Sequence, residues 1–330
     1  MKKIVLITLI LMCCALAGVY AGGGSDGASG QLTFQLNHVL PPAHSVHTSM
    51  LYFSDIAKER SGGRINIEVF PSSTLGTERE SQEALMAGTL DMAIVTYESI
   101  MVAVPEIGAL ILPFMYDSYE HGDRVFAGPA GQRAHEIILQ RANTKVLSHY
   151  IQAFRQIFSQ RSLRNAADIA GIRIRVPESP LYVNTFTLLG AAPTPVAWAE
   201  AYSALDTGVV QAIENTPEAI YSMAMHEVTT HMNLTDHLLA PTTISMAGRV
   251  WERQTAEIQR ILLETAAMAG AFALKLTQEN DAIARRQLAE RLQIVEVDVN
   301  SYRSRMDYNR FDIMRIPAAQ EIKALIDATR

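Results

Sequence analysis

The block Gly171-Ile172-Arg173-Ile174-Arg175-Val176-Pro177 carries the side chains best placed to do chemistry. A strand alternates its faces, which predicts Ile172, Ile174 and Val176 on a buried face and Arg173 and Arg175 on the other. Arg175 then stands at the C-terminal end of the strand, where open α/β sheets place ligand crevices. A guanidinium fork makes two parallel charge-assisted hydrogen bonds to one carboxylate, a geometry that lysine does not reproduce. Taken alone, the residues favour a solvated or ion-paired arginine, because arginine is mostly exposed.

Other patterns dissolve in their context. Gly22-Gly23-Gly24-Ser25-Asp26-Gly27 formally satisfies a dinucleotide-binding glycine pattern and a nucleophile elbow. Both patterns need a preceding strand and a following helix, and neither is expected here. His226-Glu227-Val228-Thr229-Thr230-His231 resembles a zinc-protease helix with one residue too many. Positions five apart on a helix lie about 140° apart, so the two imidazoles would not converge on one ion. No metal and no cofactor is expected, and no nucleophile with a paired general base is evident.

The elements that must position Arg175 fit a chain of 330 residues, enough for two domains with real cores. Hydrophobic residues make up 48% and charged residues 19%, which excludes a disordered chain. The formal net charge of −6, without basic blocks, argues against nucleic acid as a partner. Lys2 and Lys3 precede an apolar stretch from Ile4 to Ala17 and small residues ending at Ala21, the layout of a secretory signal cut after Ala21. An uncleaved anchor is the alternative, since the apolar run is about long enough to span a bilayer. Both cysteines, Cys13 and Cys14, lie inside this segment, so cleavage would remove thiol and disulfide chemistry together. Met12 and Cys13 stand where a lipid-modified cysteine needs small residues, so lipid anchoring is not favoured. Residues 22–30 are Gly, Ser, Asp and Ala only and read as a flexible leader.

Beyond the leader, strands are expected over Gln31–Asn37, Arg64–Phe70, Leu90–Tyr97, Val146–Ile151 and Ile172–Val176. Helices are expected over Ser45–Arg60, from Thr77 to a stop at Gly88, and over Pro180–Leu189 closed by Gly190. Thr77 and Glu80 form a capping box. The alternation predicts parallel βαβ units, hence α/β lobes with helices on both sheet faces. Glu252–Leu292 contains no Pro and one Gly, Gly270, and predicts one or two long helices able to cross both lobes.

A family resemblance covers nearly the whole mature chain. It rests on Asn37, Leu75-Gly76-Thr77-Glu78, Ala87-Gly88-Thr89-Leu90-Asp91, Pro105-Glu106 and Leu112-Pro113-Phe114. Further blocks are Phe154-Arg155-Gln156, Asp168 to Pro177, Leu189-Gly190-Ala191, Pro193-Thr194-Pro195, Glu200 to Val210 and Glu214-Asn215. In these the chain resembles the DctP-type solute-binding proteins of TRAP (tripartite ATP-independent periplasmic) transporters. The resemblance implies a two-lobed periplasmic binding protein fold, type II-like, with a ligand cleft between the lobes and a long helix spanning both. The expected lobes are residues 31–152 with 241–280, and 153–240 with 281–330. The resemblance further implies that Arg175 clamps the carboxylate of an organic acid, that Arg155 stands as a second arginine, and that Asn215 shares the carboxylate. Asn37 and Glu78 fall where polar groups of the solute are reached, and Trp198 where an aromatic packs over it. Ala153 replaces a usual Gly, and Gln211-Ala212-Ile213 replaces a usual Asp-Gly-Gln. Trp198, His226-Glu227-Val228 and Thr235-Asp236-His237 resemble the branch that binds uronates and related sugar acids.

The expectation is therefore a periplasmic, monomeric binding protein, not an enzyme, that hands a carboxylate-bearing solute to membrane permease subunits. Short C4-dicarboxylates or oxo acids are the alternative solutes. An exported sugar-acid hydrolase or lyase, or a subunit serving a sensor kinase, are alternative roles.

Overall fold

The computed structural model describes residues 31–329; the signal segment and leader expected over 1–30 lie outside the described residues. The strands are β1 (Leu32–Asn37), β2 (Ile65–Phe70), β3 (Met92–Thr96), β4 (Thr144–Ser159), β5 (Arg173–Val176), β6 (Ala192–Pro195), β7 (Ala212–Asn215), β8 (His231–Ala247) and β9 (Gln293–Glu296). They form one sheet in the order β2-β1-β3-β8-β4-β7-β5-β6, with β9 on β8.

The two ends of this sheet are parallel, as the βαβ alternation predicts: β1 pairs with β2 and β3, and β5 with β6 and β7. The middle departs from that expectation. β3–β8, β4–β8 and β4–β7 are antiparallel. β4 and β8 are 16 and 17 residues long and run from one half of the sheet into the other. Register shifts in β4 at Val146/Ser148, Ile151/Phe154 and Arg155/Ile157 break its alternation, and Pro241 interrupts the pattern of β8 opposite Ile151. Proline lacks an amide donor, and sheets tolerate it at such irregularities.

Local signals set the flanking helices. The helix Ser45–Arg60 buries Val46, Met50, Phe53 and Ala57 on one stripe. Thr77 and Glu80 cap the helix Glu78–Ala87 reciprocally, and Gly88 ends it in the left-handed conformation that glycine adopts at least cost. Upstream of that cap Gly76, at φ +121°, makes the turn.

The helix Ala256–Ala289 holds 34 residues, about 51 Å at 1.5 Å per residue. It packs on the helix Ser45–Arg60, on the central strand β4 and on the short helix Pro217–Ser222 that follows β7. Small residues on its inner stripe, among them Ala266, Ala269, Gly270 and Ala273, let it lie close to β4. A Cβ on Gly270 would stand 2.5 Å from Ser148 Oγ and 3.0 Å from the His149 carbonyl oxygen. Gly270→Ala therefore overpacks this contact, at a cost of about 1–3 kcal/mol against roughly 1 kcal/mol gained in helix propensity. A lower denaturation midpoint is expected for Gly270→Ala, and partial recovery on adding Ser148→Ala.

Candidate ligand-binding cleft

Arg175 lies at the C-terminal end of β5, paired with Thr194 of β6 and Ile213 of β7. Ile174 and Val176 are buried as the alternation predicts, and Arg173 is exposed, donating to the carbonyls of Val209 and Gly208. Arg175 does not follow its strand-mate into solvent: it is 3% exposed. Its Nε and Nη2 donate to the Val196 carbonyl at 2.9 and 2.6 Å, and its guanidinium carbon lies 5.4 Å from the centroid of the Trp198 ring. Among the described residues no Asp or Glu oxygen stands within 4 Å of its guanidinium. Burial pulls its pKa down to about 10, which leaves it protonated at neutral pH.

A cavity of about 310 Å³ opens beside this guanidinium, walled by Arg175, Glu78, Glu98, Trp198, Val39 and Val102 among others. Glu78 is the first residue of its helix, and its Oε1 accepts from Thr96 N–H at 2.7 Å and Thr96 Oγ1 at 2.5 Å. That ties the helix start to the end of β3. Burial raises its carboxyl pKa, while the Thr96 donors and the charges of Arg155 and Arg175 pull the other way. Trp198 begins a single 3-10 turn, and its Nε1 is buried with no hydrogen-bond partner.

Three of the six expected residues, Arg175, Glu78 and Trp198, thus share the cavity wall. The other three sit differently. Asn37 is fully buried: its Nδ2 donates to the Gly76 carbonyl at 3.0 Å and to Ser81 Oγ at 2.7 Å, and its Oδ1 accepts from Leu75 N–H at 3.2 Å. Its amide is taken up in fixing the turn that delivers Glu78, which leaves little for a solute. Asn215 ends β7, pairs with Gln156 and accepts from Thr216 N–H through Oδ1 at 2.8 Å, off the cavity wall.

Arg155, in the irregular centre of β4, differs most from expectation because its charge already has a partner. Its Nε and Nη2 meet Glu214 Oε2 and Oε1 at 2.5 and 2.7 Å, Nη2 also reaches the Glu214 carbonyl at 3.2 Å, and Nη1 lies 3.5 Å from Glu98 Oε1. His237 Nε2 approaches Glu214 Oε2 at 3.2 Å, and the Tyr182 ring lies 5.1 Å from the guanidinium carbon. Burial opposes both charges, yet the pairing wins: Arg155 is held above its usual pKa and Glu214 below the usual carboxylate value.

Neither Glu98 nor Glu214 stands out as a site residue in the sequence. Glu214 had a signal: in the otherwise apolar run Ala212-Ile213-Glu214 a strand carboxylate facing the core needs a cationic partner. The discounted histidines separate as well. His226 stacks on Tyr221 at 5.0 Å, and His231 opens β8.

The family model for bacterial extracellular solute-binding protein, family 7 (DctP), matches residues 36–308, a span that contains all six expected residues. The chain belongs to that family. A solute-binding protein of Roseobacter denitrificans is 29% identical over 324 residues, 98% of either chain. Its crystal structure, a TRAP periplasmic solute-binding protein with bound L-galactonate, superposes with a TM-score of 0.84 over 92% of this chain and 99% of that one. A TRAP periplasmic solute-binding protein of Bradyrhizobium sp., solved with galacturonate, is 29% identical with a TM-score of 0.85 over 90% of this chain and all of that one.

The two-lobed TRAP solute-binding fold is therefore the fold of this chain, with the long helix crossing both halves. The halves also meet through Glu218 of the helix Pro217–Ser222. Its carboxylate accepts from Ser45 N–H at 2.8 Å and Ser45 Oγ at 2.7 Å at the start of the helix Ser45–Arg60, and from Asn280 Nδ2 at 3.0 Å on the long helix. A carboxylate is favoured there by the open N–H groups of a helix start. Among the described residues no helix is long and apolar enough to cross a membrane.

Proposed function

We propose that this protein is the solute-binding subunit of a TRAP transporter, exported to the periplasm by its N-terminal segment, and that it captures a uronate or related sugar acid for delivery to membrane permease subunits. The observation that carries this reading is a buried Arg175 with no Asp or Glu oxygen of the described residues within 4 Å, on the wall of a cavity it shares with Glu78 and Trp198. A buried charge is costly unless paired, and a carboxylate-bearing solute is the partner this guanidinium fits. Family relatives at 29% identity hold L-galactonate and galacturonate.

In this reading Arg175 clamps the solute carboxylate, and Trp198 offers its indole to the C–H face of the carbon skeleton. Glu78 accepts a solute hydroxyl through Oε2, since Oε1 is held by Thr96. Asn215, off the cavity wall at the end of β7, joins the carboxylate only when the cleft closes on the solute. Arg155 contributes through Glu214, as part of the buried network behind the cavity, and Asn37 by fixing the turn before Glu78. The role is capture without chemistry, in keeping with a family of solute-binding proteins. The lobes divide as 31–152 with 241–280 and 153–240 with 281–330, so the strand crossings fall beside the register shift Ile151/Phe154 and Pro241. The protein acts as a monomer.

A thermal-shift screen of the chain from Gly22 tests the reading with uronates, aldonates, short dicarboxylates and oxo acids. Ligand at 100 times its Kd adds about 2.7 kcal/mol, enough to raise Tm by several degrees. A rise selective for uronates or aldonates is expected. A rise with only dicarboxylates or oxo acids would replace the solute class, and no rise with any acid would overturn the reading.

A further inference from the structure

Six charged residues wall the cavity: Arg79 and Arg175 against Glu78, Glu83, Glu98 and Glu178. At the mouth, exposed Arg79 is paired with Glu83 at 3.0 Å and lies 3.9 Å from Glu178, so these charges offset one another in solvent. Deeper in, Arg175 is the cation without a carboxylate partner, because Arg155 is engaged by Glu214. Two carboxylates remain there, and Glu98 is the less compensated. It is 5% exposed, its Oε1 lies 3.5 Å from Arg155 Nη1, and its Oε2 is buried with no hydrogen-bond partner among the described residues. Glu78, by contrast, has two donors on one oxygen. Two more glutamates than arginines therefore stand around a space that, on the function proposed above, admits an anion.

We propose that Glu98 is a specificity-determining residue that restricts the cavity to solutes with a single carboxylate. The first carboxylate of a solute is matched by Arg175. A second one, at the other end of an aldarate, finds no unpaired cation among the described residues and enters the field of a buried carboxylate that shares Arg155 with Glu214 and has one oxygen, Oε2, without a donor. In a water-poor cavity that repulsion is weakly screened. Neutral hydroxyls at the same end meet no such penalty, so an aldonate or uronate is admitted where the aldarate of the same carbon skeleton is refused.

The groups facing Glu98 set how this filter responds to pH. They are Glu78 on the helix after Thr77, Arg155 on β4, Arg175 on β5, Tyr182 on the helix Pro180–Leu189 and Glu214 on β7, with His237 on β8 behind Glu214. Burial, with the charges of Glu78 and Glu214 and against that of Arg155, pushes the Glu98 carboxyl up to about 7. The filter is then on above neutrality and relaxes in mild acid, where Glu98 takes up a proton.

The test is isothermal titration of the chain from Gly22 with galacturonate, galactonate and galactarate at pH 6 and 8.5, in the wild type and in Glu98→Gln. The wild type is expected to prefer the monoacids at least 100-fold at pH 8.5, and this ratio to shrink at least tenfold at pH 6. Glu98→Gln is expected to show the smaller ratio at both pH values, which separates Glu98 from Glu78, the other buried carboxyl on the cavity wall, as the titrating group. A ratio that changes neither with pH nor with the substitution overturns the proposal while leaving the transport reading intact. No binding of any sugar acid by the wild type overturns the transport reading and this inference with it. Should Glu98→Gln fail to fold, the wild-type pH series decides.

Discussion

Arg175→Ala lowers sugar-acid affinity by about 2–5 kcal/mol, a factor of roughly 30 to several thousand, as expected for truncating one member of a buried charge pair. The folded protein should tolerate the change, because the bonds of Arg175 to the rest of the chain run to a single acceptor, the Val196 carbonyl. Arg175→Lys is expected to recover only part of the loss: it restores charge but not the fork, and a lysine head does not reproduce the planar guanidinium placed over the Trp198 ring at 5.4 Å. Titration calorimetry on the two variants, with circular dichroism to verify folding, checks this. Unchanged affinity in a folded Arg175→Ala protein would remove Arg175 from the site.

Glu214→Ala is expected to act on stability first, costing about 3–5 kcal/mol, because it leaves Arg155 buried without its carboxylate. Arg155 would keep its bond to the main-chain carbonyl of residue 214 at 3.2 Å, but its nearest carboxylate would be Glu98 at 3.5 Å, and His237 Nε2 would lose its partner. Urea unfolding measures the loss as a lower midpoint at unchanged m-value. Glu214 is held below the usual carboxylate pKa when folded, so its stabilising contribution is fully present above the ordinary value of about 4.3. It is lost as pH falls through the lower, folded value. The wild type and Glu214→Ala should therefore differ most at neutral pH and converge in acid. A loss below 1 kcal/mol at pH 7 would contradict a structural role for this pair.

The sequence was most legible where structure is decided locally. The helix Ser45–Arg60, the Thr77–Glu80 capping box with its Gly88 stop, and the helix Pro180–Leu189 closed by Gly190 follow from residues within a turn or two of each other. The antiparallel centre of the sheet was not legible. β4 and β8 pair residues up to about a hundred positions apart, and irregular register with Pro241 breaks the alternation that announces a strand. The site shows the same division. Arg175 was expected at a strand end over a crevice, and Glu78 and Trp198 came with the family blocks. Arg155 could be located but its engagement could not, since Glu214 lies 59 residues away. Glu98 follows an apolar strand and entered no motif; its buried, unpartnered oxygen is visible only in three dimensions.

The most direct test of the account is a crystal structure of the chain from Gly22 with galacturonate or galactonate. The solute is expected in the cavity between Glu78 and Trp198, its carboxylate oxygens about 2.7–2.9 Å from the Arg175 guanidinium nitrogens. A sugar acid bound elsewhere, or bound here with its carboxylate turned away from Arg175, would contradict it.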